Sequence, residues 1–445
     1  MTEALYAACG GGRSEPLMDW VADARARTIE LVSDLTDRQL RTKKLKIVNP
    51  LDWEIGHAAY FAELFVLRAM HGRPSRLPDA DALFDSTAIE HAVRWDLALP
   101  DRSRLHAYLH EVRDDLLEFV ASARTSGLDP EGCYRCLLAV FHEDMHTEAF
   151  TYTRQTMGYP PPELDDVAGM RTHAAGPVRG DAAVPGGRFR LGAEHDAGFV
   201  LDNEAWAHER VVEPFQIALA AVTEEEFARF VEDGGYENRH YWSEDGWSWR
   251  ESTGATAPLY WRLDAGGEWE RRDFDRWVPL EPRRAVIHVC WYEADAFARY
   301  QGRRLPTELE WEVAAAAEPT ADGRGLAPTK RTYPWGSDPP TPEHANLDWA
   351  AMGTLDVDAL PDGASAFGCR QMIGNVWEWT ADTFAPYPGF EPGPYREYSL
   401  PLFGSTKVLR GGAWPTRSRL IRNTWRNYYE PHRRDVWAGF RTCAL

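Results

Sequence analysis

The sequence predicts two domains of different fold class: a helical bundle over residues 1–165 and an irregular α+β domain over 184–445, joined by a linker at 166–183. Three observations predict this. The chain has 445 residues, about three times a typical ~150-residue domain. Its first 175 residues hold nine of the 35 glycines and three of the 19 tryptophans (Trp20, Trp53, Trp95), so the two parts differ in texture. Apolar residues recur at spacings of three and four in the first part, whereas the second shows short β-like runs among Gly, Pro and Asp turns.

In chain order, segments 17–37, 51–70, 102–124 and 133–157 carry the helical period, as in Leu51, Ile55, Ala58, Ala62 and Phe65, with Pro, Gly and Asp breakers between them. Four such helices predict a bundle. The Pro-, Gly- and Asp-rich stretch 160–187 contains the linker. Beyond it, GGRFRLGA, RVVEPFQIAL and RRAVIHVCWY read as strands of a loop-rich domain.

Composition narrows the function. With 44% hydrophobic, 27% charged and 12% aromatic residues the chain is globular. A formal charge of −20 disfavours nucleic acid and anionic membrane as partners. Six cysteines (Cys9, Cys133, Cys136, Cys290, Cys369, Cys443) are too few for a disulfide framework in so long a chain. The N-terminus lacks a secretory h-region and no run reaches ~18 apolar residues, so a cytoplasmic protein is expected.

The sharpest local signal is Phe141-His142-Glu143-Asp144-Met145-His146-Thr147-Glu148. Two histidines four apart share one helix face and can hold one metal. The same letters fit the HExxH pattern of zinc proteases, and His-x3-His also occurs as a surface or core pair. A third histidine, His57 in Asn49-Pro50-Leu51-Asp52-Trp53-Glu54-Ile55-Gly56-His57, lies on another helix, and facing helices of a bundle converge ligands on their core. Three neutral imidazoles leave open coordination positions, which suits Fe(II) binding O2 beside a soft donor, although zinc accepts the same ligands. Glu148 reads either as an acceptor orienting an imidazole N–H or as a solvated acid. Cys133-x2-Cys136 has no second pair and reads as two buried helix thiols.

Together with PGGRFRLGA, VLDNEAWAHE, HVCWYEADAFARYQGRRLPTELEWEVAAA, YPWG, MIGNVWEWTAD and KVLRGGAW, these motifs resemble the ergothioneine-type sulfoxide synthases over nearly the whole chain. The resemblance implies a DinB-like four-helix bundle followed by a formylglycine-generating-enzyme-like (sulfatase-modifying-factor, C-type-lectin-like) domain. It also implies Fe(II) held by His57, His142 and His146, with O2 as co-substrate, joining a sulfur donor to C2 of the imidazole of hercynine. Formylglycine-generating activity itself is not expected, because Arg410-Gly411-Gly412-Ala413-Trp414-Pro415-Thr416 offers none of the cysteines that activity needs. A structural calcium near Asn346, Asn375 and Glu378, present in some relatives, is left open.

By the same resemblance Tyr395, in Gly389-Phe390-Glu391-Pro392-Gly393-Pro394-Tyr395, matches an active-site tyrosine that delivers a proton or hydrogen atom, with Tyr398 as its neighbour or a packing residue. Asn427, Tyr428 and Tyr429 stand where one branch carries Asn-Trp-Asp for hercynine, and tyrosine faces can hold a trimethylammonium. Eight arginines between 410 and 441 form a local positive cluster, to be shared between steering a carboxylate and pairing with acids such as Glu430 and Asp435.

Two segments depart from the synthases that use γ-glutamylcysteine. Residues 83–100 replace the region that carries a pair of arginines for the dipeptide carboxylates, and Met145 replaces a glutamine. With the ending RNTWRNYYEPHRRDVWAGFRTCAL they resemble the selenoneine synthase branch, in which a selenosugar is the donor. Arg94 and Asp96 are then candidates for sugar hydroxyls, or for capping a loop. The expected function is an Fe(II)- and O2-dependent selenoneine synthase. An ergothioneine-type synthase using cysteine or γ-glutamylcysteine is the alternative, and a non-catalytic binding protein the second.

Overall fold

The computed structural model describes residues 15–122, 128–165, 167–170 and 178–445; Cys9 and part of the linker expected at 166–183 lie outside them. The chain divides into two compact units. One ends at Asp165 and takes in Glu194–Val200; the other comprises Asp166–Ala193 and Leu201–Leu445.

Four long helices build the first unit: α1 (Glu15–Ser33), α2 (Leu51–Ala62), α3 (Arg102–Ser122) and α4 (Pro130–Met157). Helices α1 and α2 each pack against both α3 and α4. The expected helix over 51–70 is present, but its second half changes winding: α2 passes into a π-helical stretch, Glu63–Arg68, and a last turn, Ala69–His71. Helix α4 starts where its sequence dictates, with Pro130 in the first turn and the Asp129 carboxylate accepting from Gly132 N at 2.7 Å. It stops at Gly158, whose φ of 66° is open to glycine at little cost.

Buried ion pairs tie the bundle together. Arg25 of α1 donates to both oxygens of Glu143 on α4, at 2.8 and 3.0 Å, and to the Leu109 carbonyl of α3 at 3.1 Å. Arg154, fully buried, holds Asp34 in the same forked way at 2.7 and 2.7 Å. Cys136 is a free buried thiol, as expected, whereas Cys133 is disulfide-bonded.

The second unit carries thirteen short strands among the described residues. Strands β1 (Asp181–Val184) and β4 (Phe215–Ala218) pair antiparallel, as do β2 (Gly187–Leu191) and β3 (His208–Val212). A four-stranded sheet has the order β12-β11-β10-β13, formed by β10 (Trp377–Thr383), β11 (Lys407–Arg410), β12 (Asn427–Tyr429) and β13 (Ala438–Gly439). The expected strand over RRAVIHVCWY is instead a loop with isolated bridges at Arg284 and Ala285, leading into helix Trp291–Tyr300. Its apolar run is buried in the domain core, with Val286 N bonded to the Val222 carbonyl at 3.0 Å and no continuous strand ladder.

The arginine cluster of 410–441 is spent mainly on this framework. Arg410 bonds Glu308 at 2.7 Å and Glu312 at 2.5 Å, and Arg426 grips Glu308 at 2.7 and 3.0 Å. The two glutamates lie four apart on the helix Glu308–Ala316. Burial alone would push Glu308 up, but Arg426 and Arg410 outweigh it and hold the carboxyl below its usual range. Arg441 clamps Glu378 at 2.6 and 2.7 Å, Arg433 meets Asp435, Arg434 meets Glu293, and Arg422 meets Glu204.

The same bonds bear on the calcium expectation. Both Glu378 oxygens face Arg441, and Trp311 Nε1 donates to Glu378 at 2.8 Å. Asn375 Oδ1 accepts from Leu355 N at 2.7 Å and Asn346 Nδ2 at 3.1 Å. Asn346 Oδ1 is a buried oxygen with no hydrogen bond, and at Glu378 an arginine already supplies positive charge.

Gly56 is the tightest point of α2. A Cβ there would lie 2.3 Å from the Phe84 ring. Gly56→Ala must therefore push Phe84 away, an overpacking cost of about 1–3 kcal/mol. Thermal or urea unfolding should read that loss.

Candidate metal centre

Three histidine rings meet in the core of the helical unit. One ligand atom each from His57, His142 and His146 lies within 4.8 Å of the others. His142 and His146 come from successive turns of α4 and His57 from α2, so helix periodicity aims the first pair and packing brings the third. Among the described residues this is the one cluster of three or more such side chains with metal-binding spacing.

Burial keeps the His57 and His142 rings unprotonated. It pushes His57 down to about 3, with His146 and Arg94 adding to it and the bond to Phe84 opposing. His142 is held well below its ordinary value by burial and by His146 and His57. A neutral imidazole is the metal-binding form, so at neutral pH this pair need release no proton to coordinate.

The hydrogen bonds also choose the tautomers. His57 Nδ1 lies 2.9 Å from the Phe84 carbonyl and His146 Nδ1 lies 2.7 Å from Glu54 Oε1. A carbonyl and a carboxylate can only accept, so both Nδ1 atoms carry the proton and both Nε2 lone pairs are left for a metal. The Leu83 and Phe84 carbonyls end the short helix Ala80–Phe84, and they receive Trp53 Nε1 (2.7 Å) and His57 Nδ1. Stacking fixes the ring planes: Trp53 lies parallel to His57 at 5.0 Å between centroids, and Phe61 parallel to His142 at 3.6 Å.

The carboxylate on His146 is therefore Glu54, not Glu148. The i+2 offset of Glu148 from His146 turns it to another side of α4, where it is buried. Glu143, the acid of the HExxH reading, is bound by Arg25 through both oxygens and cannot serve as a metalloprotease base. Glu54 and Phe61 were missed because their role exists only across the α2–α4 contact, whereas Trp53 stacks on His57 within α2. The signal for Trp53 and Phe61 was their i−4 and i+4 spacing from His57.

The other candidate residues fall into place within their own units. The Arg94 guanidinium bonds Asn49 Oδ1 at 2.7 Å and the Ser86 and Ile89 carbonyls at 3.3 and 3.4 Å, and it covers the Trp53 ring at 4.0 Å. It thereby closes the loop over the back of the His57 stack. Asp96 is exposed and faces Lys44 at 3.3 Å. In the second unit Tyr395, Tyr398 and Tyr428 form one aromatic cluster, with centroids 6.0 Å apart for the first two and 5.6 Å for the last two; Tyr428 stacks on Phe384 at 4.2 Å. The Tyr428 hydroxyl donates to the Tyr398 carbonyl. Asn427 Oδ1 accepts from Tyr428 N at 2.8 Å, and the Arg433 guanidinium lies 5.1 Å from the Tyr429 ring. Asp202, unnoticed in the sequence, pins the Tyr395 loop by accepting from Ser399 Oγ at 2.5 Å and Gly393 N at 3.3 Å.

Each imidazole should be needed for metal. The full-length protein is expected to take up about one divalent ion per chain, and His57→Ala, His142→Ala and His146→Ala should each lose most of it while keeping the helical circular dichroism. Metal analysis after gel filtration checks this.

Comparison with known proteins agrees with this architecture. A DinB superfamily match covers residues 21–149 and a sulfatase-modifying factor enzyme 1-like domain match covers residues 168–444. The hercynine oxygenase of Mycolicibacterium smegmatis is 36% identical over 437 residues, covering 96% of this chain and 98% of that protein. The hercynine oxygenase of Mycobacterium tuberculosis is 37% identical over 431 residues, again 96% and 98%. The formylglycine-generating enzyme of Streptomyces coelicolor is 32% identical over 262 residues, 53% of this chain and 79% of that protein. Near-full-length similarity across both domains decides the matter: the chain belongs to the hercynine oxygenase family.

Proposed function

We propose that this enzyme is an iron- and O2-dependent selenoneine synthase, joining a selenosugar to C2 of the hercynine imidazole. The observation that carries the reading is the trio His57, His142 and His146, gathered and oriented in a chain that matches hercynine oxygenases over nearly its whole length. The family name supports hercynine as acceptor. An iron(II) on the three imidazoles would supply O2 activation and a coordination position for the chalcogen donor.

The donor reading rests on residues 83–100. Their one arginine is Arg94, and its guanidinium is bonded to Asn49 and two loop carbonyls. A dipeptide donor would bring carboxylates to a region without an arginine fork to receive them, and an unpaired carboxylate in a partly desolvated site costs several kcal/mol. Sugar hydroxyls find partners among carbonyls and side-chain amides more cheaply. A selenol also ionises more readily than a thiol, so it presents more of the binding anion at neutral pH. Asp96, exposed beside Lys44, would meet a sugar only at the outer edge of this loop.

In the second unit, Tyr395 would supply the proton or hydrogen atom when the new bond forms. A phenol does so without leaving a permanent buried charge. Tyr398 and Tyr428 would support its ring, and the Asp202 bonds would keep its loop in place. Asn427 and the Tyr428 and Tyr429 rings would receive hercynine. One face of Tyr428 is taken by Phe384, and Arg433 lies over Tyr429, so the trimethylammonium would use the remaining faces.

Two measurements test this reading. Anaerobically iron-loaded protein given hercynine, O2 and, in turn, a selenosugar, the matching thiosugar, cysteine and γ-glutamylcysteine should show the highest kcat/KM with the selenosugar, with product mass as readout. A preference for γ-glutamylcysteine would overturn the donor and leave the acceptor standing. Tyr395→Phe should retain metal and hercynine binding and lower the coupling rate about 10²-fold or more, or divert O2 to oxidation of the donor; an unchanged rate and product ratio would reduce Tyr395 to packing.

A further inference from the structure

Glu54 presents a physical problem that the fold alone does not explain. Its side chain is 3% exposed, and among the described residues His146, itself unable to carry positive charge while it binds a metal, is the group within ion-pair distance of it. Several buried acids of this protein are matched to arginine, as Glu143 to Arg25, Glu308 to Arg410 and Arg426, and Glu378 to Arg441, and others are held by several hydroxyl or backbone donors, as Glu63 by Ser75, Tyr108 and Arg76 N. The Glu54 carboxylate accepts instead from one imidazole N–H, the route by which the charge of a metal on that ring would reach it.

We propose that Glu54 is the positioning carboxylate of the metal centre, which fixes the His146 tautomer and makes its Nε2 the strongest donor of the three. The inference rests on the three-histidine reading and deepens it. The three rings are held differently. His57 gives its Nδ1–H to a neutral backbone carbonyl, and His142 is held by the Phe61 face, whereas His146 alone gives its Nδ1–H to a carboxylate. An anionic acceptor draws the Nδ1 proton toward itself and raises electron density at Nε2, so the bond from His146 to a metal is strengthened and the positive charge of that metal is shared with Glu54. Helix spacing makes the device possible. Glu54 precedes His57 by three residues on α2, so one helix supplies a ligand and, on the adjoining face, the acid that orients the ligand opposite.

The experiment compares full-length wild type, Glu54→Gln, Glu54→Asp and His146→Ala by competition of Co(II) and Fe(II) against a chromophoric chelator at fixed pH, with the visible d–d spectrum of each Co(II)-saturated form. Glu54→Gln keeps the size and one acceptor oxygen but removes the charge. It should bind either ion about 10–100-fold more weakly and show a shifted d–d spectrum even at saturation, which a purely structural acid would not produce. Glu54→Asp should recover part of the affinity and carry the same test if the glutamine variant does not fold. Wild-type affinity and spectrum in the glutamine variant, or in the aspartate variant alone no advantage over His146→Ala, would overturn the role of Glu54. If instead His146→Ala binds metal as tightly as wild type, the three-histidine reading itself falls, so the two failures are told apart.

Discussion

The helical unit is organised around one requirement: three basic side chains must stay unprotonated and close together inside an apolar core. Burial meets the first half by penalising the charged form of His57 and His142. It creates a second demand, because a buried ring N–H needs an acceptor. The acceptors come from α2 and from the end of the short helix Ala80–Phe84, namely Glu54 for His146 and the Phe84 carbonyl for His57. Trp53 and Phe61, on the same helix, add flat surfaces for two of the three rings. Helix α2 thus orients every member of the trio while contributing one of them. Gly56 leaves the room that the Phe84 ring occupies against this helix, and the winding turns π-helical from Glu63.

In the second unit charge, rather than hydrophobic pairing of strands, fixes the frame. Its sheets are short, and much of the chain between them is irregular. The segments are held by arginines that reach far in sequence: Arg426 joins Glu308, the Asn203 carbonyl and the Ala385 carbonyl, and Arg441 joins Glu378, the Ala218 carbonyl and the Arg370 carbonyl. A planar guanidinium with five donors can satisfy several strands' ends at once, which a lysine cannot. The aromatic group of Tyr395, Tyr398 and Tyr428 is built on this frame, with Tyr428 in strand β12 and the Tyr395 loop fastened to Asp202. The arginine-rich end of the chain therefore describes a buried lattice more than an exposed field.

The sequence by itself determined the two-part architecture, the helical period of the first part and the identity of the three histidines, because each depends on spacing within one segment or on a motif. It could not assign the partners. Glu54 and Glu148 are both acids near a histidine in sequence, and only the packing of α2 on α4 decides that Glu54 reaches His146. Glu143 fits a protease motif by its letters, and only the third helix neighbour, Arg25 at 118 residues' separation, removes it from chemistry. Arg94 lies in the segment where a donor-binding residue is expected, and the fold turns it onto Trp53 and Asn49. The apolar run around Ile287 looks like a strand, and the domain core buries it with isolated bridges at Arg284 and Ala285 in place of a continuous ladder. In each case the deciding interaction is a hydrogen bond, ion pair or ring contact between segments distant in the chain. Periodicity records which side of an element is buried; the group that meets it there is set by tertiary structure alone.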